Sequence, residues 1–122
     1  MSDQPPPTDP LPELRDALRR FAAERDWDRF HSPKNLVMAL SVEASELLEH
    51  FQWLDGAQSA SLSAEARDAV RLEMADVLLY LIRLADRLDV DLAQAARDKL
   101  VLNALKYPVD GVRDSGRTHG AA

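Results

Sequence analysis

Apolar residues recur at three- and four-residue intervals through most of the chain, and no useful stretch alternates with period two. That spacing predicts helices rather than strands. Leu14, Ala17, Leu18, Phe21 and Ala22 form the stripe of a first helix over roughly 12–26, with Pro12 in the first turn, where proline is tolerated. A second helix starts after His31-Ser32-Pro33, with Ser32 as N-cap and Pro33 as first residue, and runs to about Trp53, where Asp55-Gly56 stops it. A loop rich in Ser and Ala follows. The third helix runs from near Ser63 to about Leu88, and the fourth from an Asp91 cap to about Lys106, ahead of Tyr107-Pro108. The expected class is all-α, an antiparallel bundle of about four helices.

The third helix carries more apolar residues than one stripe requires. Val70, Met74, Val77, Leu78, Leu81, Ile82, Leu84, Ala85 and Leu88 cover well over half its circumference. A chain of 122 residues has few other helices to cover it, so an oligomer is expected.

At about 100° per residue, Leu36, Leu40, Leu47, Phe51 and Leu54 define the apolar face of the second helix. Glu43 falls inside that face, Glu46 lies at its edge one turn on, and Glu49 points nearly opposite. On the third helix Glu73, Asp76 and Tyr80 share one flank, within roughly 60° of one another. Two acidic pairs, Glu43-x-x-Glu46 and Glu73-x-x-Asp76, can therefore converge if the two helices are antiparallel neighbours. A glutamate on an apolar face is costly unless paired or bound to metal, and like charges so placed do not all ionise alone. A hard divalent cation with oxygen ligands resolves the conflict. An isolated ExxE is usually a solvated face, so spacing alone leaves both readings open. A carboxylate di-iron bundle needs Glu-x-x-His spacing, which His31, His50 and His119 do not provide, so magnesium is favoured over iron.

Composition narrows the partners. The net charge of −6 sets the chain against nucleic acid polymers, and no Lys/Arg cluster exceeds short pairs such as Arg19-Arg20. A phosphate ligand would need a cation between it and the acids. Cysteine is absent, which removes disulfides and thiolate metal sites and suits the cytoplasm. No apolar run has the length of a membrane span. Four prolines in residues 1–10 predict a disordered arm without the order of a signal peptide, and the Gly-rich segment over 109–122 a flexible tail, flanking one domain over 11–108.

Trp27 sits in a charged segment just past the first helix, and Trp53 closes the second. Ordinary core is the favoured reading for a lone Trp, yet both are places where a ring can face a cleft. A flat apolar slot beside a metal would accept a nucleobase, and His31 and Asn35 are candidates for base choice, with a plain helix-start role open to each.

The segments FAAERDWDRFHSPKNLVMALSVEASELLEHFQWL, EMADVLLYLIRLADRLDVDL and KLVLNALKYP closely resemble the MazG-like all-α nucleoside triphosphate pyrophosphohydrolases, and within them the dCTP pyrophosphatase branch. The resemblance covers about 21–108. It implies Mg²⁺-dependent hydrolysis, with Mn²⁺ an alternative, of a nucleoside triphosphate, dCTP or a related pyrimidine dNTP, to monophosphate and pyrophosphate. Glu43, Glu46, Glu73 and Asp76 match the metal-binding acids, and Glu46 is assigned as the base that activates water. Trp27 and Trp53 match aromatics that hold the base. Asp28, Arg29, Phe30, His31 and Tyr80 match further substrate-binding positions, and Lys99, Asn103 and Lys106 a polar row that could meet phosphates. The resemblance also implies a homodimer or a dimer-based homotetramer. One position departs from the pattern: Leu18 stands where the mammalian dCTP enzymes carry a substrate-contacting histidine. The rival readings are a non-catalytic nucleotide-sensing or helical interaction module, and a superfamily enzyme acting on another substrate.

Overall fold

The computed structural model describes residues 9–110; most of the expected arm over 1–10 and tail over 109–122 lies outside the described residues. Among the described residues there are helices and no strand: α1 (Leu11–Glu24), a 3-10 turn (Asp28–Phe30), α2 (Pro33–Glu49), α3 (Gly56–Ser59), α4 (Ala64–Arg87) and α5 (Leu92–Lys106). The chain divides into two compact units, Met1–Val90 and Asp91–Ala122. No described helix is long and apolar enough to cross a membrane.

Helix starts follow their caps. Ser32 Oγ accepts from Asn35 N at 3.2 Å and Ser63 Oγ from Ala66 N at 3.1 Å, each satisfying one of the amides a helix start leaves unpaired. Asp91 does the same for α5, accepting from Gln94 N at 3.0 Å. The Ser/Ala-rich segment is not wholly loop. Asp55 and Gln58 form a reciprocal capping box around the single turn of α3.

Two helix ends differ from the sequence reading. α1 stops at Glu24 rather than 26, because Asp26 takes a left-handed φ of 54°. Trp27 N then donates to Ala22 O at 2.9 Å and Asp26 N to Ala23 O at 3.2 Å, the paired bonds of a Schellman motif. α2 ends at Glu49, short of Trp53, since Phe51 N and Gln52 N both turn back to Leu48 O at 2.9 and 3.0 Å. Trp53 therefore lies beyond α2 and is 86% exposed.

In the first unit α4, about 36 Å long, packs against both α1 and α2. α2 and α4 are antiparallel. His31, just before α2, meets Arg83 near the end of α4, whereas Glu43 in mid-α2 meets Glu73 in the first half of α4. Leu36, Ala22, Val70, Ile82 and Ala85 are buried along these contacts.

Candidate active site

Antiparallel packing brings three of the four acids together. Glu43, Glu73 and Asp76 each offer a carboxylate oxygen, and these oxygens lie within 4.8 Å of one another. Glu43 and Glu73 are half-buried and Asp76 is exposed. Glu43 Oε2 and Glu73 Oε1 are buried without a hydrogen-bond partner. Glu46 stands exposed one turn from Glu43. Among the described residues none of the four acids forms an ion pair.

The electrostatics follow from that crowding. The adjoining Glu73 carboxyl, which favours a protonated neighbour, and then burial raise the Glu43 carboxyl above its ordinary range, with the charges of Glu73 and Asp76 adding to the effect. Glu43 in turn raises Glu46. Burial raises the Tyr80 phenol, reinforced by Glu43 and Asp76. Carboxylates that resist ionising together, two of them with orphaned buried oxygens, fit a hard cation held by oxygen ligands. The cluster could thus hold a divalent metal.

Asp76 also lines a neighbouring cavity of about 290 Å³, together with Leu18, Phe21, Trp27, His31, Tyr80 and Arg83. The Schellman turn delivers Trp27 to this cavity. Its ring meets Phe21 edge-on, with centroids 5.5 Å apart, and lies 5.8 Å from the tilted His31 ring. Leu18 supplies an apolar wall where the family pattern leads one to expect histidine.

The other residues marked by the sequence are placed differently. Asp28 bonds its carboxylate to Arg83. Arg29 pairs with Asp26 at 3.1 Å and lies over the exposed Phe30 ring at 4.6 Å. Asn35 Nδ2 donates to Phe30 O at 2.9 Å, tying the 3-10 turn to the start of α2. Trp53 lies outside the cavity lining. Lys99, Asn103 and Lys106 lie on α5 in the second unit, at a spacing that keeps them on one face, and Lys106 Nζ sits 5.2 Å from the Tyr107 ring.

Arg83 was not anticipated, and it is 5% exposed. Its Nη2 donates to Asp28, its Nε to His31 Nδ1 at 3.2 Å, and its Nη1 lies 3.7 Å from Asp86. Asp86 in turn accepts two bonds from Arg19, at 2.7 and 2.5 Å. The signal was present in the apolar run VLLYLIRLAD, where a lone arginine demands a buried carboxylate partner.

Comparison with known proteins places this geometry in context. Residues 38–120, which include all four acids, match the model of the MazG-like family. Human dCTP pyrophosphatase 1 is 43% identical over 97% of this chain and 69% of its own length. The mouse dCTP pyrophosphatase 1 is 44% identical over 87% of this chain and 65% of its own. Among solved structures, a pyrophosphatase from Archaeoglobus fulgidus superposes with a TM-score of 0.67 at 34% identity, covering 87% of this chain and 99% of that one. With the helical class, the acidic cluster and these similarities in agreement, the chain belongs to the MazG-like family.

Proposed function

We propose that the protein is a nucleoside triphosphate pyrophosphohydrolase that cleaves a deoxynucleoside triphosphate, dCTP or a related pyrimidine nucleotide, to the monophosphate and pyrophosphate. The observation that carries this reading is the convergence of Glu43, Glu73 and Asp76 with two orphaned buried oxygens, beside an aromatic cavity that shares Asp76. The similarity to dCTP pyrophosphatases supports the substrate class.

Glu43, Glu46, Glu73 and Asp76 would hold Mg²⁺, or Mn²⁺ in its place. When bound, the ion polarises phosphoryl oxygens and offsets the repulsion between a triphosphate and an acidic chain. Trp27 and Tyr80 flank the base, and Leu18 and Phe21 keep its surroundings dry. The exposed Trp53 and the 28–31 segment remain proposed substrate contacts, as do Asn35 and the α5 row of Lys99, Asn103 and Lys106. Glu46, exposed one turn from Glu43, accepts the proton as water attacks in line and pyrophosphate leaves. The functional unit is a homodimer or a dimer-based tetramer, supported by apolar side chains that one copy leaves exposed on α2 and α4. Deoxynucleotide pools lie inside cells, so a cytoplasmic location accompanies this reading.

Incubating the protein with each dNTP and Mg²⁺ tests it. Pyrophosphate and monophosphate are expected, fastest from a pyrimidine nucleotide; no product with any nucleotide overturns the enzyme reading in favour of a binding module. Glu46→Gln is expected to abolish turnover with the fold intact. Retained activity with normal Mg²⁺ dependence removes Glu46 from the proton-transfer role.

A further inference from the structure

A chain of charged residues, buried at Arg83, reaches the cavity beside the acids. Arg19, on the surface of α1, holds Asp86. Asp86 lies beside Arg83, and Arg83 holds both Asp28 and His31. Arginine has donors and no acceptor. The 3.2 Å contact from Arg83 Nε therefore requires His31 Nδ1 to accept through its lone pair. An imidazole that accepts at Nδ1 carries its only proton on Nε2.

We propose that Arg83 is a positioning residue for the ring-binding cavity: by donating to Nδ1 it locks His31 as the neutral Nε2–H tautomer, so the cavity presents a donor and selects a ring with an acceptor atom. The specificity half of this inference rests on the pyrophosphohydrolase reading, in which the cavity takes the nucleobase. The geometry has independent support. Arg83 is 5% exposed and bonded to Asp28 as well, so its guanidinium has little freedom to turn away. Burial and the adjacent guanidinium also lower the affinity of His31 for a second proton, with Arg87 acting in the same direction and Asp28 against it. A locked donor discriminates between rings, because a ligand without the matching acceptor leaves a buried N–H unpaired. A ring free to change tautomer would offer either a donor or an acceptor and discriminate poorly.

The test begins with the nucleotide-free, full-length protein. Its imidazole nitrogens are labelled with ¹⁵N, and His31 is assigned by comparison with His31→Gln. The expected spectrum at neutral pH shows His31 protonated at Nε2 alone. In Arg83→Met the signature should shift to a tautomer mixture. KM for the preferred nucleotide should rise about tenfold, with kcat changing less than about threefold and the preference over the next nucleotide narrowing. Arg83→Lys, which keeps a cationic donor, should restore part of the lock and of the preference. A wild-type His31 that is protonated at Nδ1 or already mixed overturns the proposal, and this needs no variant to fold. Loss of the lock in Arg83→Met with KM and preference unchanged overturns it too. A locked His31 in a protein that hydrolyses no nucleotide would instead bring down the pyrophosphohydrolase reading while supporting the Arg83–His31 coupling.

Discussion

Glu43 is where residue-scale chemistry is most exposed to test. Its carboxyl is raised because the adjoining Glu73 carboxyl favours its protonated form and burial disfavours its charge. A raised carboxyl holds its proton more tightly in the folded chain than in the unfolded one. Metal-free stability therefore falls as pH rises from the ordinary carboxylate range, about 4, through the raised folded value. Glu43→Gln removes a negative charge and supplies a donor for Glu73. In chelator at pH 7 it should unfold at a higher temperature than the wild type, by about 1 kcal/mol of stability. Mg²⁺ should raise the melting temperature of the wild type and not of the variant. Asp86 behaves in the opposite sense. The Arg19 hydrogen bonds hold it below the ordinary range, against its own burial. Its contribution is complete above about pH 4 and is lost as pH falls through the lower folded value. Asp86→Asn should cost about 1–3 kcal/mol at pH 7, a gap that closes in acid, read from melting curves between pH 2 and pH 7. The Glu43 conflict was legible from the sequence because a helical wheel needs only local spacing. The contacts of Arg83 with His31 and Asp28, and of Arg19 with Asp86, were not, because they join residues 52 to 67 positions apart that share no local pattern.

At the scale of elements, the ends of α1 and α4 share one solution. Asp26 and Asp89 both adopt left-handed φ, at 54° and 55°. Val90 N returns to Ala85 O at 2.8 Å just as Trp27 N returns to Ala22 O. Glycine fills such a position without steric conflict, whereas a residue with a Cβ does not. Asp89→Gly should therefore stabilise the protein by about 0.5–1 kcal/mol, seen as a small rise in melting temperature. At Asp26 the same geometry sets where Trp27 lies, so the motif serves the cavity as well as the helix. The caps at Ser32, Ser63 and Asp91 could be read directly from residue type. The end of α1 could not, since a non-glycine C-terminal stop has no compositional signature, whereas α5 ends at Lys106 ahead of Tyr107-Pro108 as read from the proline. The early stop of α2 has the same origin: the turns after Leu48 are choices of backbone geometry rather than of residue type.

For the whole molecule, the question is what covers the apolar side chains left exposed. Met38 and Val42 on α2, and Met74, Leu78 and Leu81 on α4, are exposed in one copy at helical spacing. Burial of such a stripe favours association. The wild type should run as a dimer or tetramer in light-scattering chromatography at micromolar concentration. Leu78→Lys should shift it toward the monomer, and an unchanged mass for this variant would show that the α4 stripe is not the contact. The net charge of −6 acts at the same scale. On the proposed function it opposes binding of nucleic acid polymers and would make triphosphate binding depend on a divalent cation.

Helical class, the starts of the major helices and the pairing of Glu43 with Glu46 and of Glu73 with Asp76 follow from periodicity and capping, which act over three or four residues and are written along the chain. Two things required the tertiary structure. The antiparallel packing of α2 on α4 decided that Glu43, Glu73 and Asp76 meet while Glu46 stays at the edge. The packing of α1 and the segment before α2 against α4 decided that Trp27, His31 and Tyr80 share a cavity and that Arg83 orients His31. Contacts between residues distant in sequence depend on how side-chain shapes and charges fit once whole helices dock, and no local spacing encodes that fit.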